Sequence, residues 1–222
     1  MLREATAILR KDILLELRGK ESLSLMLFLS LLLMVIFNFA LDVNAENVSE
    51  LAPGILWVIF SFAGVLGMGR TSMAERDDDA YLGILFSPSS SESFFLGKML
   101  SNLLFLLIME VFAIFSFAVL FDFEPIVAAM PQIALPLILA TLGFSIVGTL
   151  FAFISTTSRY GEVLLPFIYF PVVVPLILGG VTSMDIVLNA NDGMEKWLQI
   201  MGAFDVIYMG VSILLFHHLL EE

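Results

Sequence analysis

The residues best suited to chemistry form one acidic run, in which Glu75 and Arg76 precede Asp77, Asp78 and Asp79. Carboxylates in this number could hold a divalent cation or dock on a partner protein. Consecutive acids on a helix point in different directions, whereas a calcium loop places its ligands at alternate positions and needs a turn glycine. The run therefore favours a docking surface over a cation site. A solvated loop, whose charges only keep it out of a membrane, explains the same composition equally well.

The rest of the sequence contains no pattern that indicates catalysis. The chain has no cysteine and only two histidines, the adjacent His217 and His218. It has no Ser-His-Asp set, no pair of carboxylates spaced for acid-base work and no metal-ligand spacing. The phosphate-binding sequence G-x-x-x-x-G-K-[ST] is also missing, so we expect no nucleotide site. The sequence predicts a non-enzymatic chain with no catalytic residue, no metal site and no cofactor of its own.

The elements that position these residues are membrane helices. Of the 222 residues, 59% are hydrophobic and 14% are charged, and the mean hydropathy is +1.00, which lies outside the range of soluble domains. The formal charge of −12 argues against nucleic-acid binding, which needs clustered Lys and Arg. We therefore predict one all-α membrane domain covering residues 1–222.

Hydropathy predicts six transmembrane helices, because about twenty apolar residues cross a hydrocarbon core of roughly 30 Å. The segments lie near residues 23–41, 51–69, 99–121, 131–153, 163–181 and 197–216. Residues 1–20 have apolar positions along one helical face and cations elsewhere, a pattern typical of a helix lying in the membrane interface with its apolar side in the acyl boundary and its cations toward lipid headgroups. Residues 70–98 form the one long polar interval, with a serine-rich turn at 87–91.

The distribution of Lys and Arg sets the orientation. With the N-terminus inside the cell, nine of the ten cations lie in inner segments and only Lys196 lies outside. This asymmetry is what the positive-inside rule requires. It places both termini and the interval 70–98 in the cytoplasm, and it predicts a multi-pass protein of the cytoplasmic membrane.

Two acids and several prolines fall inside the predicted spans. Glu110 and Asp205 would each cost about 3 kcal/mol if they faced lipid, so we expect them to face the bundle, a cavity or a neighbouring subunit. Each is either a relay or gate, or a protonated acid bonded to Ser, Thr or backbone, and we favour the second. Pro53 suits a first helical turn. The three prolines of the fifth span predict a kinked or interrupted helix whose freed carbonyls are buried in protein or face a cavity: Pro166, Pro171 and Pro175.

Three stretches resemble a known family. The polar interval, from Glu75 to Lys98, is similar to the cytoplasmic segment between the second and third helices of ABC-2 permeases. The stretch LAPGILWV, which contains Pro53, Gly54 and Trp57, resembles the CcmB family of cytochrome c maturation. So does GEVLLP, which contains Glu162 and Pro166 and is followed by Pro171 and Pro175. The similarity extends over essentially the whole chain, although Asp79 stands where the family usually has glycine and Leu82 where an acid is common.

The resemblance implies a permease subunit that pairs with a separate ATPase, CcmA, beside CcmC, the small subunit CcmD and the heme chaperone CcmE, within membrane lipid and with a second copy of itself. ATP and Mg would bind the ATPase, and heme the partner subunits. Hydrolysis would drive release of heme-loaded CcmE, or handling of heme itself across the membrane. By this analogy residues 1–20 form a connecting helix along the membrane surface, and the ATPase-coupling residues are Glu75, Arg76, Asp77, Asp78, Asp79, Tyr81, Leu82 and Leu85.

Two other functions fit the same fold class. One is an ABC-2 exporter permease for a lipid, a polysaccharide or a drug, and the other is a membrane scaffold with no ATPase partner. A pathway for heme would offer axial ligands such as His, Met, Cys or Tyr. The only histidines lie at the predicted cytoplasmic end of the last helix, while methionine remains available. We therefore favour a mechanical transducer over a heme carrier.

Overall fold

The computed structural model describes residues 2–41, 43, 47–77, 91–156 and 161–221. All regular secondary structure within these ranges is helical. The eight helices are α1 (Leu2–Gly19), α2 (Glu21–Ala40), α3 (Val48–Asp77), α4 (Ser91–Leu120), α5 (Pro125–Ala128), α6 (Met130–Thr156), α7 (Gly161–Leu188) and α8 (Met194–Glu221).

Six of the helices in the described part are long and apolar enough to cross a membrane, which confirms the predicted all-α membrane fold. The spans are Glu21–Ala40, Val48–Arg70, Ser91–Leu120, Met130–Ser155, Leu165–Leu188 and Met194–Phe216. Because the number of spans is even, α1 and the end of α8 lie at the same end of the bundle. Phe216 in α8 packs on Phe95 near the start of α4, with ring centroids 5.2 Å apart. We call this the cytoplasmic end, following the positive-inside rule.

Helices α3 and α6 form the centre of the bundle. Most of their span residues are buried, whereas only a minority of the span residues of α2, α7 and α8 are buried. The main core includes Trp57, Phe60, Phe144 and Tyr169. A second apolar cluster at the cytoplasmic end joins α4, α6 and α8 through Phe94, Phe95, Met99, Ile146, Leu150, Phe153 and Phe216. Large apolar side chains that remain exposed on the spans face the lipid, which is their natural solvent.

Several boundaries differ from the hydropathy-based prediction. Helix α4 begins at Ser91, because Phe94 and Phe95 pack into the second cluster and extend the helix below the apolar stretch. Helix α7 extends to Leu188, because Ser183 and Met184 are buried along the same helix. The short helix α5 was not predicted, although Pro125 at its first position is a recognised start signal.

Candidate functional site

The predicted ATPase-coupling residues fall largely outside the described part of the chain. The backbone of α3 continues through Glu75, Arg76 and Asp77, but their side chains lie outside the described part. The other coupling residues lie wholly outside the described part: Asp78, Asp79, Tyr81, Leu82 and Leu85. What the structure does describe is the pair of helices, α3 and α4, between which this segment lies.

Helix α1 is attached to the start of α4 by a buried ion pair. The Nζ atom of Lys98 lies 3.0 Å from Oδ1 and 2.9 Å from Oδ2 of Asp12. Lys98 is only 7% exposed and Asp12 only 4%. Substituting only one residue of a buried ion pair leaves the other charge uncompensated. A single substitution of Asp12 or Lys98 should therefore destabilise the fold. The pair fixes the first turns of α4, directly after the undescribed segment.

Two further contacts hold the same helices together. Ser93 donates its hydroxyl proton to Oε2 of Glu4 over 2.7 Å. Gly97 allows α1 to approach α4 closely, because a Cβ atom there would lie 2.7 Å from the Cβ of Ile8 and 3.0 Å from the carbonyl oxygen of Ala5. The face of α1 that contains Ala5 therefore packs on protein. This corrects the expectation that the whole apolar side of α1 lies in the acyl boundary.

The junction between α1 and α2 is equally constrained. Lys20 has φ 55°, a left-handed conformation that turns the chain without an intervening loop. Glu16 then accepts the backbone N–H of Leu23 at 2.7 Å and that of Ser22 at 3.4 Å, and so caps the start of α2. Arg70, at the end of the α3 span, bonds Glu21 at 3.0 Å. The cytoplasmic ends of α2, α3 and α4 are thus all connected through short polar contacts.

Trp57 lies in the core, near the middle of the α3 span. Its ring packs edge-to-face against Phe60 and Phe144, with centroids 5.5 and 5.8 Å apart. The indole also lies directly against the backbone of Gly180 in α7, where any Cβ atom would overlap its ring. Trp57 and Gly180 therefore form the close contact between α3 and α7. The family-like stretch containing Trp57 serves packing here, and a Cβ atom added at Gly54 would meet no atom of another helix within 4 Å in the described part of the chain.

Pro53 does not lie in the first turn of its helix, so that prediction was wrong. Helix α3 begins at Val48, so Pro53 lies inside it and cannot donate to the carbonyl of Ser49. That carbonyl instead accepts a long bond of 3.5 Å from Nδ2 of Asn189, in the connection between α7 and α8. The same amide also donates to Oδ1 of Asp185 at 2.7 Å. Asn189 was missed from the sequence, because 140 positions separate it from Ser49.

The helix of the fifth span is not interrupted by its three prolines. Helix α7 runs continuously from Gly161 to Leu188, so the interrupted alternative is wrong. Pro171 and Pro175 are exposed and Pro166 is partly buried. The exposed proline side chains do not locate the freed carbonyls, whose burial in protein or in a cavity stays a prediction. The side chain of Glu162 lies outside the described part.

Glu110 faces the bundle, as predicted. It is fully buried, and the hydroxyl of Thr141 lies 2.9 and 2.8 Å from its two carboxyl oxygens and 2.7 Å from the carbonyl of Leu137. A threonine hydroxyl has one proton, so it can donate to only one of these three oxygens at a time. This geometry supports the interpretation of Glu110 as a packed, hydrogen-bonded acid. Its protonation stays a prediction.

Asp205 also faces the bundle, at the contact between α8 and α6. It is 5% exposed, and a Cβ atom at Gly143 would lie 2.5 Å from its Oδ1. Neither carboxyl oxygen has a hydrogen-bond partner among the described residues. The same residues contain no group of three or more His, Cys, Asp or Glu side chains placed to hold a metal ion. Glu110 thus lies between α4 and α6, and Asp205 lies between α8 and α6.

Comparison with known proteins agrees with these features. The CcmB protein family matches residues 3–221, which include nearly all of α1 and all six spans. The chain is 25% identical over 185 residues to heme exporter protein B of Bradyrhizobium diazoefficiens, covering 82% of each chain. It is 26% identical over 174 residues to heme exporter protein B of Rhodobacter capsulatus, covering 78% of this chain and 79% of that relative. A six-span helical membrane protein that matches the family over nearly its whole length is a member of the CcmB family.

Proposed function

We propose that this chain is the membrane subunit of a heme-exporting complex in cytochrome c maturation. In this role it couples ATP hydrolysis on a separate CcmA-like ATPase to release of a heme-loaded CcmE-like chaperone. The observation that carries the proposal is the family match over residues 3–221, together with two relatives that are both named heme exporter protein B. CcmC-like and CcmD-like subunits and a second copy of the chain complete the proposed complex.

The division of labour follows from the chemistry available. The sequence contains no phosphate-binding loop, so ATP and Mg would bind the partner ATPase. Heme would bind the partner subunits, since this chain lacks cysteine and its two histidines are adjacent at 217 and 218. The chain then contributes no catalytic group. Its part in the reaction is to transmit movement through the membrane.

The packing at the cytoplasmic end supports transmission from the segment between α3 and α4. Movement of that segment would act on the end of α3 and on the start of α4. The start of α4 is joined to α1 by the Lys98–Asp12 pair, and α1 continues into α2 through Lys20. A displacement at one point would therefore reach three spans together, because packed cores move as units.

Charge reversal of the acidic run tests the coupling role. In the variant Asp77→Lys, Asp78→Lys, Asp79→Lys, we expect co-purification with the ATPase to fall at least about ten-fold, because like charges at a charged interface cost several kcal/mol. ATPase turnover should fall to that of the isolated ATPase. The matched control, Asp122→Lys, Glu124→Lys, Asp192→Lys, has the same change of charge in the predicted outer loops and should behave like the wild type. Unchanged co-purification and turnover in the first variant would refute the coupling role.

The cargo needs a separate experiment. A complex purified with its partners should show a heme Soret band and a bound heme chaperone. An exporter of lipid, polysaccharide or drug would show neither, although it would still co-purify an ATPase. A scaffold would co-purify no nucleotide-binding subunit after mild detergent extraction. These three results distinguish the proposed function from both alternatives.

A further inference from the structure

The acids and the arginines of α1 have different surroundings. All three acids of this helix are bonded to other parts of the protein: Glu4 accepts from Ser93, Asp12 pairs with Lys98, and Glu16 accepts the backbone N–H of Leu23. Their negative charges are therefore directed to α4 and α2. None of the three acids belongs to the outer groove of the helix.

The cations of α1 lie along that outer groove. Arg3, Arg10, Lys11 and Arg18 line it together with Thr6 and Leu14. In the described part of the chain the guanidinium groups of Arg3, Arg10 and Arg18 form no ion pair or hydrogen bond. The groove therefore presents an excess of positive charge that the sequence of α1, with its mixed charges, does not reveal.

Apolar side chains continue the groove toward the membrane span. Leu14, Leu15 and Leu17 are 45%, 55% and 65% exposed, in the half of α1 that leads directly into α2. A row of cations beside exposed leucines matches a molecule with an anionic head and a hydrocarbon tail. Because α1 joins the span without a loop, the groove lies where the headgroups of that leaflet must be.

We propose that the outer groove of α1, lined along its length by Arg3, Arg10, Lys11 and Arg18, binds the phosphate headgroups of anionic phospholipids in the cytoplasmic leaflet. Guanidinium groups bind phosphate oxygens in pairs of parallel hydrogen bonds, and Leu14, Leu15 and Leu17 contact the acyl chains. Selection against zwitterionic lipids follows from charge, because a groove lined by the three arginines repels the ammonium group of such a headgroup. The proposal does not depend on the cargo or on the ATPase.

Lys11 connects this groove to the interior. Its Nζ atom lies 3.1 Å from Oδ1 of Asp12, the acid that also pairs with Lys98. A bound phosphate would thus lie next to the buried pair that fixes the start of α4. Lys11 is left unchanged in the test below, so that the pair stays intact.

The test uses the full chain in vesicles of phosphatidylcholine that contain a small fraction of photoactivatable phosphatidylglycerol. After illumination and proteolysis, cross-links to residues 2–19 are compared with cross-links to the same segment from photoactivatable phosphatidylcholine. We expect the phosphatidylglycerol probe to label this segment preferentially. The variant Arg3→Gln, Arg10→Gln, Arg18→Gln should lose that preference by roughly a hundred-fold in relative affinity, given the typical contribution of each cation near an anionic surface.

Two controls separate charge at the groove from total charge. The variant Arg3→Lys, Arg10→Lys, Arg18→Lys keeps the cations and should retain most of the preference. The variant Lys20→Gln, Arg70→Gln, Lys196→Gln loses the same charge elsewhere and should label like the wild type. Equal labelling in the groove variant and the wild type would overturn the proposal. So would equal labelling by the two lipid probes, or full displacement by soluble glycerol phosphate, which would indicate a site for a free anion.

Discussion

The ion pair between Lys98 and Asp12 is the polar contact whose loss should cost most. Changing either residue alone, as in Lys98→Met or Asp12→Leu, leaves a charge at a site that water scarcely reaches. We expect each change to lower the free energy of unfolding by about 3 kcal/mol. The double variant should cost clearly less than the sum, because it removes both charges at once. Unfolding in mixed detergent, followed by circular dichroism, measures this.

A neighbouring lysine provides the control for that cycle. Lys11 also contacts Asp12, but its side chain is 41% exposed. Lys11→Gln should therefore cost less than about 1 kcal/mol, as exposed ion pairs do. Additive costs in the Lys98 and Asp12 double variant would show that the two residues do not act as a pair.

Glu110 offers a second test at the scale of one residue. If this buried acid only packs and hydrogen-bonds with Thr141, Glu110→Gln should change the free energy of unfolding by less than about 1 kcal/mol and leave ATPase coupling intact. Thr141→Val, which removes the hydroxyl at nearly constant volume, should cost a similar small amount. A normal fold with abolished coupling in Glu110→Gln would instead support the relay or gate.

At the scale of the helices, Pro53 and Asn189 should depend on each other. Asn189→Ala removes the donor to the carbonyl of Ser49 and should cost up to about 1 kcal/mol, because this bond is long and only partly buried. In a Pro53→Ala background the restored backbone N–H can serve that carbonyl, so the same change should cost less. Thermal unfolding of the four proteins in this cycle measures the difference. Equal costs in both backgrounds would mean that the long bond contributes nothing.

The sequence predicts the membrane helices much better than it predicts the contacts between them. The six spans follow from hydropathy, because a bilayer demands a length and a composition that each segment shows by itself. The contact between Gly180 and Trp57 could not be predicted in this way, since it depends on which faces of α3 and α7 meet. The packing of α1 on α4 was not predicted either. Asp12 and Lys98 are 86 positions apart, and in the sequence each resembles an ordinary charge at the membrane interface.

At the scale of the whole molecule, the protein is a multi-pass protein of the bacterial inner membrane, as its family and its six apolar helices indicate. The sequence has no cysteine. A single introduced cysteine can therefore be labelled without labelling of any other residue, and its reactivity shows which side of the membrane it faces. We expect Ser89→Cys to react with an impermeant maleimide only after the membrane is opened, because the interval 70–98 is predicted to face the cytoplasm. Asp192→Cys, in the connection between α7 and α8, should react in intact spheroplasts. The reverse pattern would invert the topology and remove the basis for ATPase docking at this interval.

The distance in sequence between Asp12 and Lys98 also has a consequence for biosynthesis. A ribosome needs on the order of ten seconds to extend the chain by the 86 positions from Asp12 to Lys98 at typical rates of synthesis. Until then Asp12 of the nascent chain lacks the lysine that later neutralises it, so α1 must wait at the bilayer surface while α2 and α3 insert. A stalled chain that stops before Lys98 should therefore leave its N-terminal helix open to added protease, whereas a chain released after α4 should protect it.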